Sequence, residues 1–186
     1  MSEYNNKLDL IYKAMDDATN TIRFIDTKVA SVFVILGILI ALFISICENV
    51  LTVYSDIILP AYSDLLKLSI IIYLISTIIS VYYGFKTLDA SNNPNKYINN
   101  DCYKGKNLWY LDSNSDSKMR ISVMDYIIEI DKLNETDLIQ LVSVEFMKVS
   151  VIRNIKIKNI NIALFWMKMS MIFILIPVVY LIVNLF

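Results

Sequence analysis

The sequence predicts an all-α membrane protein, with three transmembrane helices whose long cytoplasmic extensions form a small helical module. Three observations carry that expectation. Uncharged apolar runs occupy residues 29–47, 68–85 and 169–186, each close to the ~20 residues an α-helix needs to cross a ~30 Å hydrocarbon layer. Charges stop where the runs stop: Lys28 and Glu48 bracket the first, Lys67 and Lys86 the second, and Lys168 precedes the third. Hydrophobic residues make up 56% of the chain and mean hydropathy is +0.55, above the roughly 45–50% apolar content of a soluble domain.

Residues 1–28 are expected to form a cytoplasmic N-terminal helix. Leu8, Ile11, Tyr12, Met15, Ala18, Ile22 and Ile25 recur at spacings of three and four, which makes one apolar stripe. No Pro or Gly precedes Gly37, so this helix should continue into the first span, 29–47, as one rod. The acids ahead of that span and the missing small-residue cleavage site argue against a cleavable signal. Residues 48–67 form a short extracytoplasmic connector carrying Glu48, Asp56 and Asp64 and broken at Pro60. The second span, 68–85, runs past Lys86 towards Asp89, and the sequence around Asn92, Asn93 and Pro94 marks a loop.

Residues 86–160 make the cytoplasmic module. Its least regular stretch, 94–118, holds Tyr97, Tyr103, Trp109 and Tyr110 among Asn, Lys, Asp and Ser. A short amphipathic helix over 119–130 follows, with Ile121, Met124, Ile127 and Ile128 on one side. Asn134 is an N-cap candidate, and Glu135 and Asp137 favour the positive end of a new helix. That helix should run from Glu135 through the third span, 161–186, with Pro177 kinking it where neighbouring helices compensate.

Orientation follows from the basic residues. Lys7, Lys13, Arg23 and Lys28 precede the first span, and Lys86, Lys96, Lys104, Lys106, Lys118 and Arg120 follow the second. Lys148, Arg153, Lys156 and Lys158 precede the third. The N-terminus and the module therefore belong on the cytoplasmic side of a cell (inner) membrane, and the connector and C-terminus outside.

The net charge of -1 says nothing for nucleic acid, and DNA or RNA is not expected as a partner. The absence of histidine removes the commonest general base and metal ligand. Gly37, Gly84 and Gly105 form no phosphate loop, there is no GxSxG or CxxC motif, and Glu129 with Asp131 reads as solvated surface. Catalysis, a metal and a cofactor are therefore not expected. Cys47 and Cys102 belong at different depths and read as free thiols. The triplet from Asn134 to Thr136 reads as a helix cap rather than a glycosylation site.

Within the spans, Ser31, Ser45, Ser69, Thr77 and Ser80 can bond to their own backbone, and Tyr82 and Tyr83 suit an interface. No intramembrane acid or Arg marks a route through one subunit, so any effect on permeability needs an oligomer. Lys168 lies inside the apolar stretch that begins near Ile160. It either snorkels to the inner headgroups or places a charge in an oligomer lumen. In the module, Lys96, Tyr97, Lys104, Lys106, Trp109, Tyr110 and Arg120 either suit a small nucleotide, by phosphate neutralisation and base stacking, or reflect positive-inside charge and interfacial aromatics.

The segment from Ile22 to Ala30, with Phe24, Asp26 and Lys28 at the membrane edge, resembles the start of the membrane effectors of Pycsar antiphage defence. Asn107-Leu108-Trp109-Tyr110 is similar to that family's Asn-aromatic stretch, although Leu111 stands where the family has Gly. Asp125-Tyr126-Ile127-Ile128 resembles its Tyr-centred helix, and residues 138–163, with Lys156 or Lys158, its last helix. The resemblance implies an effector that answers a cyclic pyrimidine mononucleotide, cUMP or cCMP, made by a partner cyclase. Such an effector impairs the inner membrane and causes abortive infection, and the spans of this chain, free of acids and Arg, lead to the expectation that it does so as a homo-oligomer. On that reading the ligand phosphate goes to Lys96, Lys104, Lys106 or Arg120, beside Trp109 and Tyr110, or to Lys148 and Arg153, while Asp26 and Lys28 serve helix–helix pairing. Two other readings stand beside it: a non-catalytic membrane scaffold that binds a protein partner constitutively, and a holin-like toxin with no nucleotide trigger.

Overall fold

A computed structural model describes residues 2–53, 60–89 and 122–185. Part of the connector, the loop and aromatic stretch before α3, and Ile121 lie outside those residues. Four helices make up the described chain: α1 (Ser2–Val53), α2 (Pro60–Leu88), α3 (Val123–Asp131) and α4 (Glu135–Leu185). Helix accounts for 96% of it and there is no strand among the described residues, so the fold is all-α. Three of the helices, α1, α2 and α4, are long and apolar enough to cross a membrane.

Helix boundaries follow local chemistry. α1 has nothing to interrupt it, and runs through Lys28 as one helix. α2 opens on Pro60, whose fixed φ and missing N–H suit a first helical position. Ser122 caps α3: its Oγ accepts from the Asp125 backbone N–H at 3.1 Å and donates to Asp125 Oδ2 at 2.7 Å. That cap sets the start of α3 at Val123, inside the 119–130 range expected. Asn134 caps α4, its Oδ1 accepting from the Asp137 N–H at 2.8 Å. α4 then continues through Pro177 to Leu185.

The chain divides into two compact units, each with segments of α1 and α4. The first unit comprises Met1–Ile22 and Ser91–Asn154. Among its described residues, the buried apolar ones are Ala18, Leu141 and Val142. Tyr4 stands near Glu135; loss of hydration, then the Glu135 carboxylate and the Tyr12 phenol, hold the Tyr4 hydroxyl above the ordinary tyrosine range.

The second unit comprises Arg23–Ala90 and Ile155–Phe186. Ile25, Val29, Val32, Leu36 and Leu39 of α1 meet Tyr73 of α2 and Ile160, Ala163, Met167 and Ile174 of α4. The steps of four and three along α1 are those of a left-handed bundle seam. α2 contributes small and hydroxyl residues: Ser69, Ser76, Thr77, Ser80 and Thr87 are buried there. Lipid supplies no hydrophobic drive between helices, so close approach and interhelical bonds must hold such a bundle. The Ser80 Oγ–H donates to the Ala163 carbonyl at 2.8 Å, a cross-helix bond where the sequence suggested a bond to its own backbone. Gly84 lets Phe33 come close, with a ring carbon 2.9 Å from where a Cβ would stand.

Candidate functional site

Charged side chains are buried at two places on α4, and both lie on its inward stripe. That stripe carries Leu141, Glu145, Lys148, Lys156, Asn159, Ala163 and Met167, all buried, at steps of three, four or eight. The hydrophobic phase of the helix therefore continues through charged residues.

In the first unit, Glu145 is 1% exposed and Lys148 is 4% exposed. The Lys148 ammonium donates to Glu145 Oε1 at 2.5 Å, one helical turn away. Among the described residues, Glu145 Oε2 has no hydrogen-bond partner, and neither does the buried Ser150 Oγ. An unmet buried acceptor of this kind costs about 1–3 kcal/mol until a donor reaches it. The site thus holds a buried cation beside a carboxylate oxygen with spare accepting capacity. Arg153 is half-buried, and its guanidinium makes 3.4 Å contacts with Asn154 Oδ1. Five residues separate it from Lys148, about 140° around the helix, so the two cations do not share a face.

In the second unit, Lys156 donates to Asp26 Oδ1 at 2.5 Å, which ties α4 to α1. Asn159 Nδ2 reaches the Lys86 carbonyl at 3.4 Å, near the end of α2, where helical carbonyls lack an intrahelical donor. The three helices are thus joined at one level. Lys28 stays on its own helix, with its ammonium 4.4 Å from the centre of the Phe24 ring. Lys86 stands over Tyr82 and Tyr83 at 5.8 and 5.6 Å. This belt of cations and rings has the composition of a membrane interface.

Lys96, Lys104, Lys106, Trp109, Tyr110 and Arg120 lie outside the described residues. Of the remaining sequence candidates, Asp26 meets Lys156, whereas Lys148 meets Glu145, which sequence reasoning did not select. The signal for Glu145 was its phase: it stands on the same stripe as Leu141 and Val142, where a solvated acid has no reason to be. No cluster of His, Cys, Asp and Glu suited to a metal ion occurs among the described residues. Comparisons with protein-family models, with curated proteins and with solved structures found no match for this chain.

Proposed function

We propose that this protein is a membrane effector of antiphage defence that answers a cyclic pyrimidine mononucleotide, cUMP or cCMP, and then impairs the inner membrane. The observation that carries the reading is the buried pair on α4, Lys148 with the half-satisfied Glu145 carboxylate. A pyrimidine offers ring or exocyclic N–H donors to such an oxygen, and its cyclic phosphate offers an anion to the ammonium. α4 then continues without interruption into an apolar span, so a ligand that prefers one arrangement of this helix shifts the population of membrane states. Asp26 of the N-terminal segment that carries the resemblance forms an ion pair with Lys156, one of the two lysines considered in the resembling last helix, and this pairing of the two segments supports the reading. On this reading the first unit lies in the cytoplasm and the C-terminus outside.

Calorimetric titration of the detergent-solubilised full chain with cUMP and with cCMP tests the proposal. One of the two should bind, and Glu145→Gln should weaken that binding at least tenfold. Silence with both nucleotides removes this reading. One feature favours the scaffold alternative: α3 buries none of its residues, and Val123 and Met124 are 76% and 69% exposed. In that case Met124→Asp releases a constitutive partner and the nucleotides produce no heat.

A further inference from the structure

Lys168 stands out among the cations of the second unit because its depth in the membrane can be measured against its neighbours. The Asn159 contact with the Lys86 carbonyl, the Ser80 bond to Ala163 and the tilted contact of the Phe43 and Tyr73 rings, 5.0 Å between centres, fix the register of the three helices. In that register Lys28, Lys86 and Lys158 share one edge of the apolar layer. Lys168 lies ten residues beyond Lys158, about 15 Å at the helical rise of about 1.5 Å per residue, and so near the middle of a ~30 Å layer. A lysine stem reaches roughly 6 Å, well short of that edge. Sliding the layer until Lys168 reached its edge would draw Glu48 of α1 into hydrocarbon.

Lys168 is exposed, and no ion pair or hydrogen bond satisfies its ammonium among the described residues. A cation at the centre of a bilayer is costly, by about 2.5–3.5 kcal/mol even on the most lenient scale. No span of this chain contains an acid that a second copy could bring to it. Two copies placing Lys168 in dry contact would repel. Water between the copies relieves both problems.

The outward stripe of α4 has the matching form. Lys158, Asn161, Phe165, Lys168, Ile172, Leu175 and Val179 are all exposed and follow one another at steps of three and four. A strict seven-residue repeat on a free face is the pattern of a helix that meets other helices. Its half nearer Lys158 is largely polar and ends at Lys168, and the other half is apolar.

We infer that copies of this chain assemble with Lys168 turned to a shared water-filled lumen, where a ring of ammonium groups favours the passage of anions. The apolar half of the stripe forms a constriction that closes by dewetting. This rests on the reading that the protein impairs the membrane, but not on which nucleotide triggers it.

The full chain in planar bilayers under a KCl gradient, with cUMP, with cCMP and with neither, gives the test. The expected current reverses close to the chloride equilibrium potential. K168Q should lose most of that selectivity and K168E should invert it. A cation-selective wild type, a reversal potential unchanged in K168Q, or no current in any condition overturns the inference. A chloride-selective current without nucleotide retains it and counts against the nucleotide trigger alone.

Because charge variants can fail to assemble, Lys168→Cys in a chain carrying Cys47→Ser and Cys102→Ser offers a second readout. Ile78 of α2 is 67% exposed at nearly the same depth and gives the lipid-facing reference. A water-soluble methanethiosulfonate should react with the thiol introduced at position 168 at least tenfold faster than with one introduced by Ile78→Cys. Equal rates overturn the inference.

Discussion

Glu145 and Lys148 form a buried pair whose two members cannot be treated alike. Removing Lys148 takes the ammonium away from a buried Glu145 carboxylate, which typically costs about 3–5 kcal/mol, whereas replacing both with apolar residues of similar size is often neutral or better. Lys148→Met should therefore destabilise the protein by about that much, and the double change Glu145→Leu with Lys148→Met should recover most of it, as followed by thermal unfolding in detergent. Asp26 is more open, its side chain 40% exposed against 9% for Lys156. Screening by solvent lowers the value of that pair, so Asp26→Asn should cost only about 1 kcal/mol. A double-mutant cycle with Lys156→Met should return a coupling of similar size. Among these residues Asp26 was legible from its place at the membrane edge. Glu145 was not, because its charge outweighed its phase in a reading that assigns acids to the surface.

The long helices were legible as elements because their apolar runs and caps are local properties. The start of α4 at Glu135 follows from Asn134 alone. The pairing of helices was harder to read, since it depends on small residues whose meaning is relational. Ser80 can bond its own helix in isolation and turns to Ala163 only because α4 lies against it. Ser80→Ala should cost about 0.6 kcal/mol, the average for such bonds between membrane helices. Gly84→Leu should cost more, about 1–3 kcal/mol, because Phe33 occupies the space a side chain would need. Phe33→Ala in the same chain should return part of that loss, whereas Gly37→Ala meets nothing within 4 Å and should be tolerated. Unfolding in detergent by circular dichroism distinguishes these outcomes.

At the scale of the molecule, the all-α class and three spans of sufficient length were written in hydropathy. The proposed trigger was not, because no sequence period encodes a ligand. Expression alone should leave growth and membrane potential unchanged. Co-expression with a pyrimidine cyclase should collapse the potential within the time of nucleotide accumulation, as followed with a voltage-sensitive dye. Growth arrest without the cyclase would instead favour the holin-like alternative.

The ion pair between α1 and α4 joins residues 130 positions apart, and this sets a schedule for biosynthesis. At about 5–20 residues per second, Asp26 is polymerised roughly 6–26 s before Lys156. Through that interval α1 and α2 can form a hairpin held by Phe33 on Phe85 and Phe43 on Tyr73, contacts that need no charge. A nascent chain halted before Glu135 should already insert as this two-helix intermediate. The closing salt link then acts as a late latch, set only once Lys156 has been added to the chain.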